Sequence, residues 1–380
     1  MKNLFRYLPI VLVTGVLAPV PASAQSRDIS LDAGQWVASD SVRTESYLGR
    51  PSLYINRGVA LARNVEMQDG TFEYDMAATP RTTFLGSVFR AKSPRFSEVI
   101  FFRPGSSGDP QSVQYGPAFN NLGVAWQIYQ GDGANAVTTI PREQWVHVRV
   151  VLAGATARMY FGPDTAPLLV VPLLAGAGGT GLGVWAGAFG RGAYFSNIRY
   201  APATEAVSAA PPPPMPAGTI TSWELSDPIG PAEFSPTMLP DLSRLRWTHV
   251  SPEAAGFVLV NRYQEQPHAS APTNANQEIL VDSVMTGKVE GSKIVYARTT
   301  IDAPRDEIRR LHYGYSDGVV IYANGRPLVF NMNPQGMRGL GAMEKAGDAV
   351  YLPLKRGRNE IVFAVIELGA GWAFWGRLDP

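Results

Sequence analysis

The chain has 380 residues, a length typical of two domains, and its hydrophobic fraction of 45% excludes wholesale disorder. Its formal net charge of +1 excludes the uniformly basic surface that nucleic acid or an anionic membrane would require. Because the sequence contains no cysteine, disulfides, thiolate zinc sites and thiol nucleophiles are excluded as well.

Residues 1–24 have the features of a signal peptide. Lys2 and Arg6 precede an apolar stretch over residues 8–20, and Ala22-Ser23-Ala24 offers the small residues that a signal peptidase recognises. The stretch is shorter than the roughly 20 residues that span a bilayer, although a retained N-terminal anchor is the alternative to cleavage. We expect export to the periplasm or exterior of a bacterium, because small domains on the eukaryotic secretory route are usually stapled by disulfides.

The pattern of short strands in residues 26–200 predicts a jelly-roll β-sandwich. The segment 145–150 alternates with a period of two, with three valines on one face and Trp145, His147 and Arg149 on the other. Further strands are predicted at 71–76, 84–90, 96–103, 124–129, 157–161 and 194–200. Many short strands separated by glycine-rich turns are typical of a sandwich or a jelly roll.

The composition of residues 201–218 indicates a linker. The strand pattern of residues 219–380 indicates a second β-sandwich. The four prolines Pro211 to Pro214 favour a semi-rigid polyproline II spacer. Beyond it, strands are predicted at 257–261, 294–301, 308–315, 318–322 and 359–367. Asn324-Gly325 predicts a hairpin turn, because both residues tolerate positive φ angles. The predicted fold class is therefore all-β, with two sandwiches joined by a proline-rich linker.

Several motifs between Trp36 and Tyr200 are similar to those of a known superfamily. They are Phe101-Phe-Arg-Pro104, Gln114-Tyr-Gly-Pro117, Trp126-Gln-Ile-Tyr129, Trp145-Val-His-Val-Arg149, Gly183-Val-Trp-Ala186 and Phe195-Ser-Asn-Ile198. In these segments the chain resembles concanavalin A-like lectin/glucanase domains of the laminin-G or 3-keto-disaccharide-hydrolase type. Members of that superfamily bind sugars, hydrolyse glycosides or serve in adhesion, so the resemblance implies a fold and leaves the activity open.

The second half resembles a different sugar-associated fold. The segments that carry this resemblance are Gly314 to Leu328, Leu352 to Glu360 and Gly371-Trp-Ala-Phe-Trp375. They are similar to galactose-binding-like sandwiches, as found in carbohydrate-binding modules and ancillary domains of β-galactosidases. The resemblance implies that Gly357 turns the chain and that Asn359 caps the turn. Sugars are the usual ligands of such domains, but many bind only a neighbouring domain.

Catalysis by a glucanase mechanism is not supported by the sequence. That mechanism uses Glu-x-Asp-x-x-Glu on one strand, and here Glu73 and Asp75 share a face but Ala78 occupies the position of the acid/base. Without the third carboxylate no group protonates the leaving oxygen. The sequence has no Gly-x-Ser-x-Gly motif for a nucleophilic serine. The remaining catalytic candidates are Glu98 and His147, and for His147 a structural place on a strand is the alternative.

Sugar binding requires aromatic rings that stack on pyranose rings, together with polar groups that bond hydroxyls. On this basis the candidate ligand-binding residues are Arg103, Gln114, Tyr115, Gln127, Tyr129, Asp317, Trp372 and Trp375. Alternation places Gln127 and Tyr129 away from the face of Trp126, and Trp375 away from the face of Trp372. For each candidate a structural role in a core or a turn is the alternative.

The sequence thus predicts an exported, two-module protein, periplasmic or secreted, that binds a glycan or oligosaccharide. The alternatives are a glycoside hydrolase or 3-keto-glycoside hydrolase with its site on the concave face of the jelly roll, and an envelope protein-interaction module. No cofactor and no metal ligand is predicted, although a structural calcium ion stays open in either sandwich. Nucleic acid and a membrane span are not expected, whereas a protein partner stays open.

Overall fold

The computed structural model describes residues 25–119, 125–131, 133–173, 178–187, 192–204, 214–253, 255–265, 291–333, 348–369 and 371–379. The predicted signal peptide and much of the predicted linker lie outside these ranges. Inside them the regular structure is β-strand apart from short 3-10 helices at Ala33–Gln35, Pro104–Ser106, Pro231–Glu233, Leu242–Arg244 and Val260–Arg262. No helix in this part of the chain is long and apolar enough to cross a membrane. The all-β fold class is confirmed.

The first part of the chain forms strands β1 to β15. In chain order they are β1 Arg27–Asp28, β2 Trp36–Ala38, β3 Val42–Tyr47, β4 Arg50–Ile55, β5 Gly58–Glu66, β6 Gly70–Ala78, β7 Leu85–Ser93, β8 Phe96–Phe102, β9 Val113–Phe119, β10 Asn135–Ala136, β11 Val146–Ala153, β12 Thr156–Phe161, β13 Leu169–Pro172, β14 Gly181–Ala186 and β15 Ala193–Pro202. All of the recorded pairings between these strands are antiparallel.

These strands form two sheets that enclose the first core. An eight-stranded sheet has the order β13-β12-β11-β6-β15-β4-β3, with β1 added on β15, and a seven-stranded sheet has the order β10-β9-β8-β7-β14-β5-β2. Alternation decides which side chains enter the core. On β6, Phe72, Tyr74 and Met76 are buried in it, and the intervening Glu73 and Asp75 point outward. Glu73 and Asp75 therefore share a face, as alternation predicts.

The later part of the chain forms strands β16 to β25. They are β16 Trp223–Ser226, β17 Trp247–Val250, β18 Val258–Leu259, β19 Lys293–Ala303, β20 Glu307–Tyr315, β21 Asp317–Ala323, β22 Arg326–Asn333, β23 Asp348–Leu354, β24 Gly357–Glu367 and β25 Ala373–Leu378. A six-stranded sheet, β17-β16-β19-β24-β21-β22, lies against a four-stranded sheet, β18-β25-β20-β23. A second core between them contains Trp223, Phe363 and Phe374.

The two turns that the sequence singles out have the expected geometry. Asn324 and Gly325 adopt φ angles of 49° and 78° between β21 and β22, as a tight hairpin turn requires. Gly357 has a φ of 89°. The Asn359 side chain accepts a hydrogen bond from the Lys355 backbone at 2.8 Å and donates one to the Gly357 carbonyl at 2.9 Å. Asn359 therefore closes the turn before β24, as the resemblance implies.

Two predicted strands differ from the structure. Residues 125–129, the described part of the predicted strand 124–129, form turns instead of a strand. Of the predicted strand 257–261, only Val258–Leu259 pairs with β25, and a 3-10 turn follows it directly. Ala125, Tyr129 and Leu259 join the first core, and Val258 and Val260 lie in the second. Packing against residues distant in the sequence, which periodicity does not report, replaces sheet pairing for these side chains.

The two sandwiches meet through these irregular segments. Leu259 and Ala373 from the second sandwich join the core cluster of the first. The Ser316 hydroxyl donates a hydrogen bond to Gln127 Oε1 at 3.1 Å across the boundary. Tyr129 contacts Phe257 edge-on, with ring centroids 5.9 Å apart. We call this contact region, residues 125–130 against 257–263, 316–317 and 371–373, the junction.

Candidate functional site

The predicted ligand residues Arg103, Gln114 and Tyr115 are tied into the seven-stranded sheet. Arg103 donates to the Gln111 carbonyl at 3.0 Å and to Gln114 Oε1 at 2.6 Å, and its guanidinium lies 4.6 Å from the Phe101 ring centroid. Burial lowers the pKa of Arg103 to about 10. The Gln114 amide donates to the Trp126 carbonyl at 2.8 Å. Arg103 thus holds a loop in place, which is the structural alternative to ligand binding.

The predicted catalytic candidate Glu98 lies inside the first sandwich. It is buried, and Glu98 Oε2 accepts a hydrogen bond from the Tyr115 hydroxyl at 2.6 Å. Tyr115 is buried beside it and packs edge-on against Tyr129. A carboxyl group enclosed in a core does not reach a polysaccharide at the protein surface. The geometry therefore gives Glu98 and Tyr115 a structural role.

Packed apolar side chains cover the outer face of the seven-stranded sheet. Val59, Val88, Val99 and Phe101 on this face are each exposed by 3% or less, and Trp185 packs edge-on against Phe101. A sugar that stacks on aromatic rings needs those rings at the surface. This face is thus a poor location for the groove that the hydrolase alternative requires.

The other predicted ligand residues lie at or near the junction, and all are buried. Gln127, Tyr129 and Asp317 face the neighbouring sandwich. Asp317 accepts hydrogen bonds from the Leu368 and Gly369 backbone, and burial raises the pKa of its carboxyl group to about 7. These residues connect one sandwich with the other.

The two predicted tryptophans of the second sandwich are buried as well. Trp372 belongs to the second core, where the Asn261 side chain accepts a hydrogen bond from the Trp372 backbone at 2.7 Å. Trp375 points to the opposite face of β25, as alternation predicts, but it too is buried. The Arg377 guanidinium lies 4.6 Å from its ring centroid. Neither ring is open to a sugar.

An ionic network lies on the outer face of the eight-stranded sheet. His147 Nδ1 lies 2.8 Å from Asp75 Oδ1 on the adjacent strand, and Arg50 Nη1 lies 2.7 Å from Asp75 Oδ2. Arg199 Nε donates to Glu73 Oε2 at 2.7 Å, and His147 Nε2 lies 3.7 Å from Glu73 Oε1. Of the ten predicted site residues, His147 alone belongs to this network. We call these five side chains the charged face.

A β-bulge at Asn197 allows Arg199 to join the charged face. Ser196 is opposite Asp75 and Arg199 is opposite Glu73, so three steps along β15 correspond to two along β6. Asn197 takes up the extra residue with a φ of 48°, a conformation that asparagine tolerates better than most residues. Its side chain donates to Asp75 Oδ2 at 2.6 Å. The Phe-Ser-Asn-Ile motif therefore encodes this bulge.

The network sets the protonation states of its members. The hydrogen bond to Asp75, followed by that to Glu73, raises the pKa of His147 to about 9. Hydrogen bonds from His147 and Arg199 lower the pKa of Glu73 to about 2 against the effect of burial. Burial raises the pKa of Asp75, but hydrogen bonds from His147 and Asn197 outweigh it, and the net pKa is below its usual value. At neutral pH His147 is an imidazolium and both acids are carboxylates.

Neither carboxyl group of the charged face is protonated at neutral pH. A general base must be unprotonated and a general acid protonated near the working pH. His147 is protonated at neutral pH, so it does not act as a base, and Glu73 is ionised, so it does not protonate a leaving group. The charged face therefore lacks the protonated carboxyl group that a glycosidase uses as its acid.

Aromatic rings border the charged face. Tyr47 and Tyr194 stack with ring centroids 3.7 Å apart and planes 4° from parallel. Trp145 contacts Tyr47 edge-on at 6.1 Å, and the Arg50 guanidinium lies 5.7 Å from the Trp145 ring centroid. All three rings are half-buried. Each comes from a different part of the chain: Tyr47 ends β3, Tyr194 lies on β15 and Trp145 directly precedes β11. The order of the strands in the sheet places the three rings near one another.

A cleft of about 320 Å³ lies at the end of the first sandwich that precedes the linker. Its lining includes Glu66, Gln68, Asp69 and Thr204, and it contains no aromatic ring. Asp69 Oδ1 accepts hydrogen bonds from Arg90 at 2.7 Å and from the Gly154 backbone at 3.0 Å. In the described ranges, no group of three or more histidine or acidic side chains is arranged to hold a metal ion.

No protein-family model matches the sequence, and the curated proteins contain no match to it. Among solved structures, the chain is similar to carbohydrate-binding module CBM66 from Bacillus subtilis, with 16% identity and a TM-score of 0.33 over 43% of this chain and 93% of that chain. It is also similar to a Bacillus subtilis protein with a galectin-like fold, with 8% identity and a TM-score of 0.37 over 50% of this chain and 99% of that chain.

Domain 4 of AbnA, an extracellular arabinanase from Geobacillus stearothermophilus, is a further similar structure. Its identity is 12% and its TM-score is 0.29, over 47% of this chain and 82% of that chain. At TM-scores this low, none of these similarities establishes a family or a ligand for this chain.

Proposed function

We propose that the protein is an exported, non-catalytic module that binds a glycan on the charged face of its first sandwich. The observation that carries this proposal is the combination of half-buried rings and ordered polar groups on one sheet face. Tyr47 and Tyr194 cover one face of each other, and we expect a pyranose ring to stack on the part of this cluster, with Trp145, that stays at the surface. The Arg50 guanidinium, of which only Nη1 bonds to Asp75, keeps further N–H donors for the hydroxyl groups of the sugar.

The polar groups of this face are already fixed before a ligand arrives. Asp75 holds Arg50, His147 and Asn197 at hydrogen-bond distance, and Glu73 holds Arg199. Side chains that are ordered in the free protein lose little conformational entropy when a ligand binds. The face thus combines stacking surfaces with a pre-ordered set of donors, as a sugar-binding surface requires.

Binding is favoured over hydrolysis by the protonation states of the network. Hydrolysis of a glycoside uses one carboxyl group that stays protonated and one that is ionised. The hydrogen bonds that lower the pKa values of Glu73 and Asp75 leave both ionised at neutral pH. Glu98 is enclosed in the core with Tyr115.

Affinity electrophoresis through gels that contain single polysaccharides tests the proposal. We expect at least one polysaccharide to retard the protein, and Trp145→Ala to weaken that interaction about tenfold, equivalent to about 1.4 kcal/mol. Tyr351→Ala is the matched control, because Tyr351 is a highly exposed ring on the second sandwich. Retardation by no polysaccharide, with stoichiometric capture of one protein, would support an envelope protein-interaction module instead.

A further inference from the structure

Positive side chains of the charged face reach further into solvent than its carboxylates. The side chains of Arg50 and Arg199 are 45% and 42% exposed, and that of His147 is 37% exposed. Those of their partners Glu73 and Asp75 are only 19% and 11% exposed. A ligand that approaches this sheet therefore meets cations first, although the chain as a whole has a net charge near zero.

Arg149 adds a further cation to this surface. It follows His147 by two residues on β11, so both side chains point to the same face. Its guanidinium lies over the Tyr160 ring, 4.0 Å from the ring centroid. The carboxylate opposite it, Glu73, is bound to Arg199. Within the described ranges Arg149 makes no hydrogen bond and no ion pair, so its donors are available to a ligand.

A stacked arginine of this kind is suited to an oxyanion. The planar guanidinium presents paired N–H donors that match the two oxygens of a carboxylate or a sulfate. Stacking on Tyr160 fixes the plane of the guanidinium, which reduces the entropy that ordering it would cost on binding. The His147 imidazolium, whose N–H groups face Asp75 and Glu73, adds a second positive charge on the same side of the sheet.

We propose that the glycan of this protein is anionic, and that Arg149 binds the carboxylate or sulfate group of a sugar residue beside the positive charge of His147. This inference rests on the proposed function and specifies its ligand class. The stacking rings Tyr47, Trp145 and Tyr194 bind the apolar faces of the sugar rings, and the cations select the acidic residue. Uronic acids and sulfated sugars share the chemistry that the site recognises.

Titration calorimetry with matched polymers tests the inference. The probes are polygalacturonate, dextran sulfate, neutral dextran and a duplex DNA fragment, each measured at low and at physiological salt. We expect one of the two anionic polysaccharides to bind at least about tenfold more tightly than dextran, with an affinity that falls as salt screens the charges. The two anionic probes distinguish a carboxylate ligand from a sulfate ligand.

Variants locate the site. Arg149→Gln is expected to weaken binding of the preferred anionic polymer about tenfold, and Arg149→Lys to restore only part of the affinity, because lysine keeps the charge and loses the planar donor pair. Arg305→Gln is the matched control: Arg305 lies on the second sandwich with an 81% exposed side chain, so the same charge is removed elsewhere. Circular dichroism of each variant verifies the fold.

The outcomes separate this inference from the proposed function. Equal affinity for dextran and for the anionic polysaccharides would overturn the anionic ligand and leave glycan binding intact. Anionic binding that Arg149→Gln and Arg305→Gln weaken equally would overturn the assigned site. DNA binding as tight as that of the polysaccharides would show a response to charge alone, and absence of any polysaccharide binding would contradict the proposed function itself.

Discussion

The protonation of His147 provides a quantitative test of the charged face. Its pKa is raised to about 9 from 6.5 by its hydrogen bonds to Asp75 and Glu73. A group whose pKa is raised on folding stabilises the folded state below its unfolded pKa, and that stabilisation is lost as the pH rises through the folded pKa. The contribution of the imidazolium is therefore complete below pH 6.5 and disappears as the pH passes about 9.

The size of this stabilisation follows from the pKa shift of His147 and from the exposure of its side chain. A shift of this size corresponds at most to about 3.4 kcal/mol, at about 1.36 kcal/mol per pKa unit. The His147 side chain is 37% exposed, so screening by solvent reduces the expected contribution to about 1 kcal/mol. For a domain of this size, a change of about 1 kcal/mol moves the Tm by roughly 2–4 °C.

Urea unfolding of the protein and of His147→Gln, at about pH 6 and about pH 10, measures this contribution. We expect the variant to be less stable by about 1 kcal/mol more at the lower pH than at the higher pH, because glutamine retains hydrogen bonding and lacks the charge. His249→Gln removes an exposed imidazole from β17 and is the control. Equal destabilisation by His147→Gln at both pH values would refute the interaction of a charged His147 with Asp75 and Glu73.

Three further perturbations test other parts of the structure. Glu73→Gln is expected to lower the free energy of unfolding by about 1 kcal/mol at neutral pH, because folding lowers the pKa of Glu73 to about 2. This loss is present above about pH 4.5 and vanishes as the pH falls through about 2. Measurements of unfolding along an acid titration test this pH dependence. Asn197→Gly tolerates the positive φ and loses only the hydrogen bond to Asp75, whereas Asn197→Ala loses that bond and adds backbone strain. We therefore expect the glycine variant to have the higher Tm, and equal Tm values would contradict the bulge. Gly314→Ala places a Cβ 2.0 Å from Trp375 Nε1. We expect it to lower the stability of the second sandwich by about 1–3 kcal/mol. An unchanged Tm would disprove the close packing of Trp375 on Gly314.

Local periodicity was sufficient to predict much of the sheet structure. On β6, alternation alone places Phe72 and Tyr74 in the core and Glu73 and Asp75 on one outer face, and the structure has this arrangement. The turn at Asn324-Gly325 was predictable because positive φ angles select few residue types. Both features depend on residues close in sequence.

The charged face could not be predicted in the same way. Its members come from four strands, and only the sheet order places Arg50 and Arg199 beside the carboxylates of β6. Strict alternation from the buried Phe195 would also point Arg199 into the core. The bulge at Asn197 reverses that phase, and it depends on a single left-handed residue.

The junction explains the different placement of the predicted ligand residues. Gln127 and Tyr129 alternate with apolar neighbours in the sequence, a pattern that an exposed strand and a domain contact share. In the structure the second sandwich covers them, and Ser316 and Phe257 are their partners. A surface that becomes buried by a domain distant in the sequence has no local signature.

The central claim, that a glycan binds on the charged face, is tested most directly by hydroxyl-radical footprinting of the aromatic side chains. The protein is labelled alone and with the polysaccharide that retards it most strongly. We predict that the glycan protects Tyr47, Trp145 and Tyr194 and leaves Tyr351 on the second sandwich equally reactive. Protection of Tyr351 with no change at Trp145 would contradict the account.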